Sequence, residues 1–191
     1  MKAIILNGAR NNEKILDDVH KIVSAKLSDL NWDVKPFILR ELNITHCVGC
    51  FECWVKTPGI CRFKDDGPQI AEEWIKSDLV IYITPVVFGG YSSELKKALD
   101  RIICLIAPFF MKIDGETHHK PRYEKYPSLM GIGVLPQSDP DSEKIFKTLV
   151  YRNSLNFHSP FHIGGVVLNS QEMEEKIQII QSFFTATEVV K

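Results

Sequence analysis

Asp78-Leu-Val-Ile-Tyr-Ile-Thr84 runs directly into Pro85-Val-Val-Phe-Gly-Gly-Tyr-Ser-Ser-Glu-Leu-Lys96. The first segment is apolar without alternation, rich in β-branched residues and too short for a helix. It reads as a strand buried on both faces, the kind found in parallel sheets. Pro85 ends it, Gly89-Gly90 lets the backbone bend closely around a flat ligand, and Ser92 or Ser93 caps the helix that follows. A buried strand passed through a tight turn to a helix is the repeating unit of an α/β fold. Outward from it the pattern repeats. Strands are expected at Ala3–Asn7, Asp33–Leu39, Ser128–Leu135 and Ile163–Leu168. Helices are expected at Asn12–Leu30, Gly67–Lys76, Ser92–Leu105, Asp139–Leu155 and Ser170–Phe184. Two stretches break the rhythm: a cysteine-rich loop over 40–66, and a long aromatic and basic loop over 108–127. Neither carries a composition shift, so residues 1–191 read as a single domain.

The bulk properties narrow the function. The chain has 191 residues, 45% of them hydrophobic, enough for a full sheet covered on both sides. A formal net charge of −1 argues against nucleic acid as a partner. Met1–Leu6 turns polar at Asn7-Gly8, too early for a signal-peptide core, and no apolar run reaches membrane-spanning length. The expectation is a cytoplasmic protein whose thiols stay reduced.

That setting matters because four of the five cysteines are clustered. Cys47-Val-Gly-Cys50-Phe-Glu-Cys53 is followed by Cys61, a C-x2-C-x2-C-x7-C spacing. The compact run suits a [4Fe-4S] cluster. Zinc, a reversible Cys50/Cys53 dithiol, and thiols that bind nothing are the alternatives. Thr57-Pro58-Gly59 can turn the chain back so that Cys61 joins the others, and Lys56, Arg62 and Lys64 are cations that could offset thiolate charge.

Pro85-Val-Val-Phe-Gly-Gly-Tyr-Ser-Ser-Glu-Leu-Lys-Lys-Ala-Leu-Asp-Arg101 resembles the isoalloxazine-binding loop and helix of the NADPH-dependent FMN reductase branch of flavodoxin-like proteins. The cysteine run, with Cys61 shortly before Lys64-Asp65-Asp66, resembles the iron–sulfur flavoproteins of that branch. The resemblance implies a flavodoxin-like three-layer sandwich with sheet order 2-1-3-4-5, bound FMN, and a homodimer or homotetramer. It implies a flavin ring bordered by Pro85, Val86, Val87, Phe88, Gly89 and Gly90, and iron held by Cys47, Cys50, Cys53 and Cys61. The expected function is an FMN-dependent NAD(P)H oxidoreductase or an electron-transfer flavoprotein, with NAD(P)H or a protein as electron donor or acceptor. Its rival is a binding or redox-sensing module on the same scaffold that has lost FMN and uses the cysteines for zinc or thiol switching.

The first loop departs from the family pattern. Where Gly-Ser, an Arg, small residues and a Thr are usual, this chain has Asn7-Gly8-Ala9-Arg10-Asn11-Asn12-Glu13-Lys14. Ala9 lacks the hydroxyl, and Glu13 brings negative charge to the phosphate end. Arg10, Asn12 and the helix amides are the remaining phosphate ligands. Pro136–Asp141, after the fourth strand, reads as a helix start. Among other candidates, His118-His119 reads as exposed, His46 as a spectator, His158 and His162 as bonded to backbone, and Cys104 as core. No Ser–His–Asp set or Walker-type phosphate loop is present, which excludes those hydrolytic chemistries.

Overall fold

A computed structural model describes residues 1–10 and 13–186. Its elements are β1 (Lys2–Asn7), α1 (Lys14–Asp29), β2 (Asp33–Ile38), α2 (Glu52–Val55), α3 (Gly67–Ile75), β3 (Leu79–Pro85), α4 (Ser93–Arg101), β4 (Ile106–Ile113), β5 (Glu116–Pro121), β6 (Ser128–Leu135), α5 (Pro140–Asn156), β7 (His162–Leu168) and α6 (Met173–Ala186). Short 3-10 turns follow β2 and α4.

The main sheet is parallel throughout, in the order β2-β1-β3-β6-β7. Counting only its own strands, that is the expected 2-1-3-4-5 order. Strand alternation divides the core in two. Ile4 and Leu6 of β1 and Val80 and Tyr82 of β3 face α3, α4 and α5, where they meet Trp74, Leu95, Phe146 and Val150. Ala3, Ile5, Leu79, Ile81 and Ile83 point the other way, onto Leu16, Val19, Val23 and Ile180 of α1 and α6. A period of two in the strands thus makes the three layers. Both central strands, β3 and β6, are buried along their whole length, as a sheet covered on two sides requires. Among the described residues, no helix is long and apolar enough to cross a membrane.

The stretch 108–127 is not a loop. Most of it belongs to an antiparallel hairpin, β4 with β5, turning at Asp114-Gly115, whose φ angles are 51° and 83°. Asp-Gly is the two-residue hairpin signal. It was obscured because the strand residues Phe109, Phe110, Met111 and Lys112 are all exposed, so no in–out alternation marks them. His119 Nδ1 lies 2.8 Å from Ala107 O within the hairpin, and Arg122 Nε donates to Cys104 O at 2.9 Å, tying the arm to the 3-10 turn after α4. The helix expected over Ser92–Leu105 likewise stops at Arg101 and tightens into a 3-10 turn.

Candidate functional site

In a doubly wound sheet the binding crevice lies outside the carboxyl ends of the strands. The loop after β3 is fixed there from below. Thr84 Oγ1 accepts from Ser92 N at 3.0 Å and donates to Pro85 O, and Val86 N donates to Val134 O at 2.9 Å. Val87 and Gly90 exchange two backbone bonds, of 3.0 and 2.8 Å, around Phe88 (φ 49°) and Gly89 (φ 74°). Positive φ at both central positions makes a type I′ turn. Phe88 is fully exposed at its tip although a non-glycine residue is costly in this conformation. Gly89 is required twice over. A Cβ there would stand 2.5 Å from Ile145 Cγ2, so the turn packs on α5 through a missing side chain. The amides of Phe88 and Gly89 have no protein acceptor among the described residues. Two donors in a rigid turn, beside an exposed ring, suit the edge of a flat heterocycle.

The loop after β1 has the opposite character. Gly8 N donates to Ile83 O at 2.7 Å, and Ala9 N to Asn7 Oδ1 at 2.9 Å. Arg10 N donates to Glu13 Oε2 at 2.7 Å, while Arg10 Nε and Nη2 donate to Glu13 Oε1 at 3.0 and 2.6 Å. Of the two side chains expected at a phosphate, Arg10 is therefore paired within the loop, and Asn12 lies outside the described residues. The two loops are stitched together by Ser92, which caps α4 at Leu95 N and donates to Gly8 O at 2.6 Å. The β3 turn thus leaves two amides open, while in the described part of the β1 loop the cation Arg10 is paired with Glu13.

The cysteine loop covers the side of α4. Gly49 and Phe51 take positive φ, of 63° and 57°, to bring the chain into the single turn of α2. Gly59 N donates to Cys53 O and Ile60 N to Thr57 O, so the expected turn does carry Cys61 back toward Cys53. Cys47 and Cys50 are exposed, Cys61 is half-buried and Cys53 is buried. All four line one cavity of about 730 Å³, shared with Trp54, Tyr91 and Arg101. Burial, then the neighbouring Cys61, Cys47 and Cys50, pushes the Cys53 thiol up. Among the described residues, no three His, Cys, Asp or Glu side chains are close enough to hold a metal ion. Cys104 is core as expected, its thiol pushed up to about 12 chiefly by burial.

The charges differ from expectation. Lys56 and Arg62 both pair with Glu52, at 3.5 and 2.8 Å, and so do not form a free cationic rim. The cation that matters is Arg101, with a side chain only 1% exposed. It grips Asp65 through two bonds, of 2.7 and 2.9 Å, and donates to Thr45 O at 2.7 Å. Burial alone would raise the Asp65 carboxyl, but Arg101 and the amides of Thr45 and Gly67 hold it well below the usual range. Arg101 also faces the Cys61 sulfur, and its Nε has no partner among the described residues. Sequence reasoning placed Arg101 at the end of the flavin-loop helix without seeing that it anchors the cysteine loop. The available signal was the pair Asp65-Asp66, which starts four residues after the last cysteine of the run.

A row of rings leads away from the cysteines. Phe51 stacks on Trp54 at 5.5 Å, and tilted contacts continue from Trp54 to His119 at 5.0 Å and from His119 to Phe110 at 4.8 Å. His119 is therefore not a free surface histidine, and His118 is buried between Asn156 and Glu116. Asp139 caps α5 at Ser142 N, the helix-start role read from its sequence.

Comparison with known proteins agrees with this architecture. An iron-sulfur flavoprotein from Archaeoglobus fulgidus is 27% identical over 101 residues, covering 53% of this chain and 48% of that protein. The chain thus spans about half the length of this curated relative, and less of others. An NAD(P)H:quinone oxidoreductase from Methanothermobacter marburgensis superposes with a TM-score of 0.71 at 13% identity, over 95% of this chain and 94% of that one. An FMN-dependent NADH-azoreductase from Bacillus anthracis, solved with FMN, gives a TM-score of 0.61 at 14% identity, over 100% and 96%. At such identities the structures attest the fold alone. The sequence profile of NADPH-dependent FMN reductase matches residues 1–123, from β1 through the cysteine loop and the β3 turn into the hairpin, and the chain belongs to that family.

Proposed function

We propose that this protein is an FMN-dependent NAD(P)H oxidoreductase or electron-transfer flavoprotein of the cytoplasm, whose flavin ring seats on Pro85–Gly90. The observation that carries the reading is the type I′ turn at Val87–Gly90, with two unpartnered amides on the carboxyl rim of the sheet. Bound flavin supplies the hydride and single-electron chemistry. The chain's own residues orient it. Phe88 and Gly89 offer amide hydrogens to the ring edge, Val86 and Val87 border it, and the Thr84–Ser92 bond holds the turn against α4. Arg10 and Asn12 belong to the end of the loop where the ribityl phosphate would lie. Exposed Phe88, Phe109 and Phe110 are apolar surface available to a second copy, in keeping with a homodimer or homotetramer.

Cys47, Cys50, Cys53 and Cys61 are assigned to a [4Fe-4S] cluster, which would add a one-electron carrier. The support is the cysteine spacing and the one cavity that all four thiols line, with a buried guanidinium behind Cys61; the thiols stand too far apart to hold a metal as they are and would have to draw together around the cluster. One observation favours the rival, a flavin-free redox or zinc module, and that is the pairing of Arg10, the described cation of the β1 loop, with Glu13. Purification without oxygen separates the two. The proposal expects flavin absorbance, FMN-stimulated oxidation of NAD(P)H, and iron with matching acid-labile sulfide. Folded protein carrying stoichiometric zinc and no affinity for flavin would establish the rival.

A further inference from the structure

We infer that the cavity between the cysteine loop, α4 and α5 is a binding site for a neutral, planar aromatic ketone, taken up with its carbonyl oxygen on the Tyr91 hydroxyl. This goes beyond the flavin reading and does not require it. The cavity measures about 730 Å³, within the range of roughly 300–1,000 Å³ that holds small organic ligands. The four cysteines make only one side of it. Trp54 and Phe63 of the cysteine loop, Leu99 of α4, Ile103 of the turn after it, and Leu149 and Phe157 on and just after α5 make much of the rest. All but Phe157 are half-buried. Trp54, Leu99 and Ile103 pack on the core with one side and leave the other to the hollow. Such surface gains from being covered by a flat ring.

One polar group on the wall is only half satisfied. Tyr91, directly after the glycines of the β3 turn, accepts from Asn153 Nδ2 at 2.8 Å, and its own hydroxyl hydrogen has no acceptor among the described residues. The rings of Tyr82 and Phe146 meet it edge-on at 5.7 and 5.9 Å and fix where its ring lies. Burial pushes the Tyr91 hydroxyl up, so it remains a donor at neutral pH. A sequestered donor without an acceptor costs free energy that a ligand carbonyl recovers. The charges on the wall then choose between ligands. Each cation is already matched: Arg62 by Glu52 at 2.8 Å, Lys96 by Asp100, and Arg101 by Asp65 through two bonds, of 2.7 and 2.9 Å. An anion would enter a mostly apolar space with no free partner, or would have to break one of these pairs. A ketone of the same shape meets no such cost. Arg62 and Lys96 are about half exposed, so solvent screens their pairs and the preference should be about tenfold rather than thousandfold.

Calorimetric titration of the full chain, purified without oxygen, with 2-acetylnaphthalene and with 2-naphthoate tests this, because the two share ring and outline and differ in charge. The ketone is expected to bind saturably and at least about tenfold tighter than the carboxylate. Tyr91→Phe should weaken the ketone about fivefold and leave 2-ethylnaphthalene, which carries no acceptor, unchanged. Leu149→Trp, at a half-buried position, should fill the cavity and weaken the ketone about tenfold or more, with circular dichroism showing the fold intact. Asp100→Asn releases Lys96 and should tighten the carboxylate about threefold, the ketone not at all. No saturable uptake of the ketone, a carboxylate bound as tightly, or a folded Leu149→Trp protein with wild-type affinity would overturn the inference. Displacement of the ketone by FMN would also overturn it, since both would then occupy the flavin seat, and would leave the flavin reading standing. Failure to bind FMN would instead remove the flavin reading and leave this site in place.

Discussion

The loops after β1 and β3 end on the same rim and are tied together by Ser92, yet they treat their hydrogen-bond donors in opposite ways. The β1 loop pairs the amides of Gly8, Ala9 and Arg10 within the chain, on Ile83, Asn7 and Glu13. The β3 loop satisfies its ends and leaves the amides at its tip pointing outward. The tip amides sit in a strained, glycine-dependent turn and have no protein acceptor among the described residues, so they are free to donate to a ligand. One rim thus carries an open half at the β3 turn and, at the β1 loop, a half whose described amides up to Arg10 are paired, and the open half is where the ligand's binding energy should come from.

The contrast can be broken from behind. Arg101 and Asp65 fix the cysteine loop to the helix that the β3 turn begins, and Arg101→Met leaves a buried carboxylate unpaired. Stability should fall by about 3–5 kcal/mol in urea unfolding. A loss under about 1 kcal/mol would mean that the cysteine loop is held by other contacts. Gly89→Ala attacks the open half itself. The new methyl group meets Ile145 and the backbone sits at positive φ, so thermal unfolding should report a loss of about 1–3 kcal/mol. An unchanged transition would show that the turn does not pack on α5. Ser92→Ala cuts the stitch between the halves and removes the α4 cap, at about 1 kcal/mol. Faster amide exchange at both Gly8 and Leu95 would sharpen the comparison, whereas exchange confined to α4 would deny the link.

The smallest effect lies away from the rim. Glu73, bonded to Lys2 and Lys35, is lowered to about 2. A depressed carboxyl contributes stability that is complete above its unfolded pKa, near 4.5, and is lost as the pH falls toward about 2. Acid unfolding of Glu73→Gln should accordingly lack part of the wild-type slope in that window. Superimposable acid curves would remove the role of the two lysines.

Most of the sheet was legible because its signal is local. Leu79–Pro85 and Ser128–Leu135 are apolar without interruption, and only a strand between two helix layers needs that. The hairpin was missed because its exposed strands carry no alternation, leaving Asp114-Gly115 as the lone cue. At the site, the β3 turn was read from its glycines, although the sequence could not assign different tasks to them. Gly89 supplies positive φ and room for Ile145, while Gly90 closes the bridge to Val87. Glu13 was visible as a misplaced charge, but its bonds to Arg10 depend on the fold of the loop. Arg101 was invisible as an anchor because its partner stands 36 residues earlier, a separation that periodicity does not reach.

The most direct test of the central claim, that the β3 turn seats a flavin ring, is a fluorescence titration of the wild type and Gly89→Ala with FMN, with far-UV circular dichroism as a check on folding. The account predicts saturable, equimolar quenching by the wild type and affinity at least about tenfold weaker for the folded variant. Equal affinity in the two proteins, or no saturable quenching by the wild type, would contradict it.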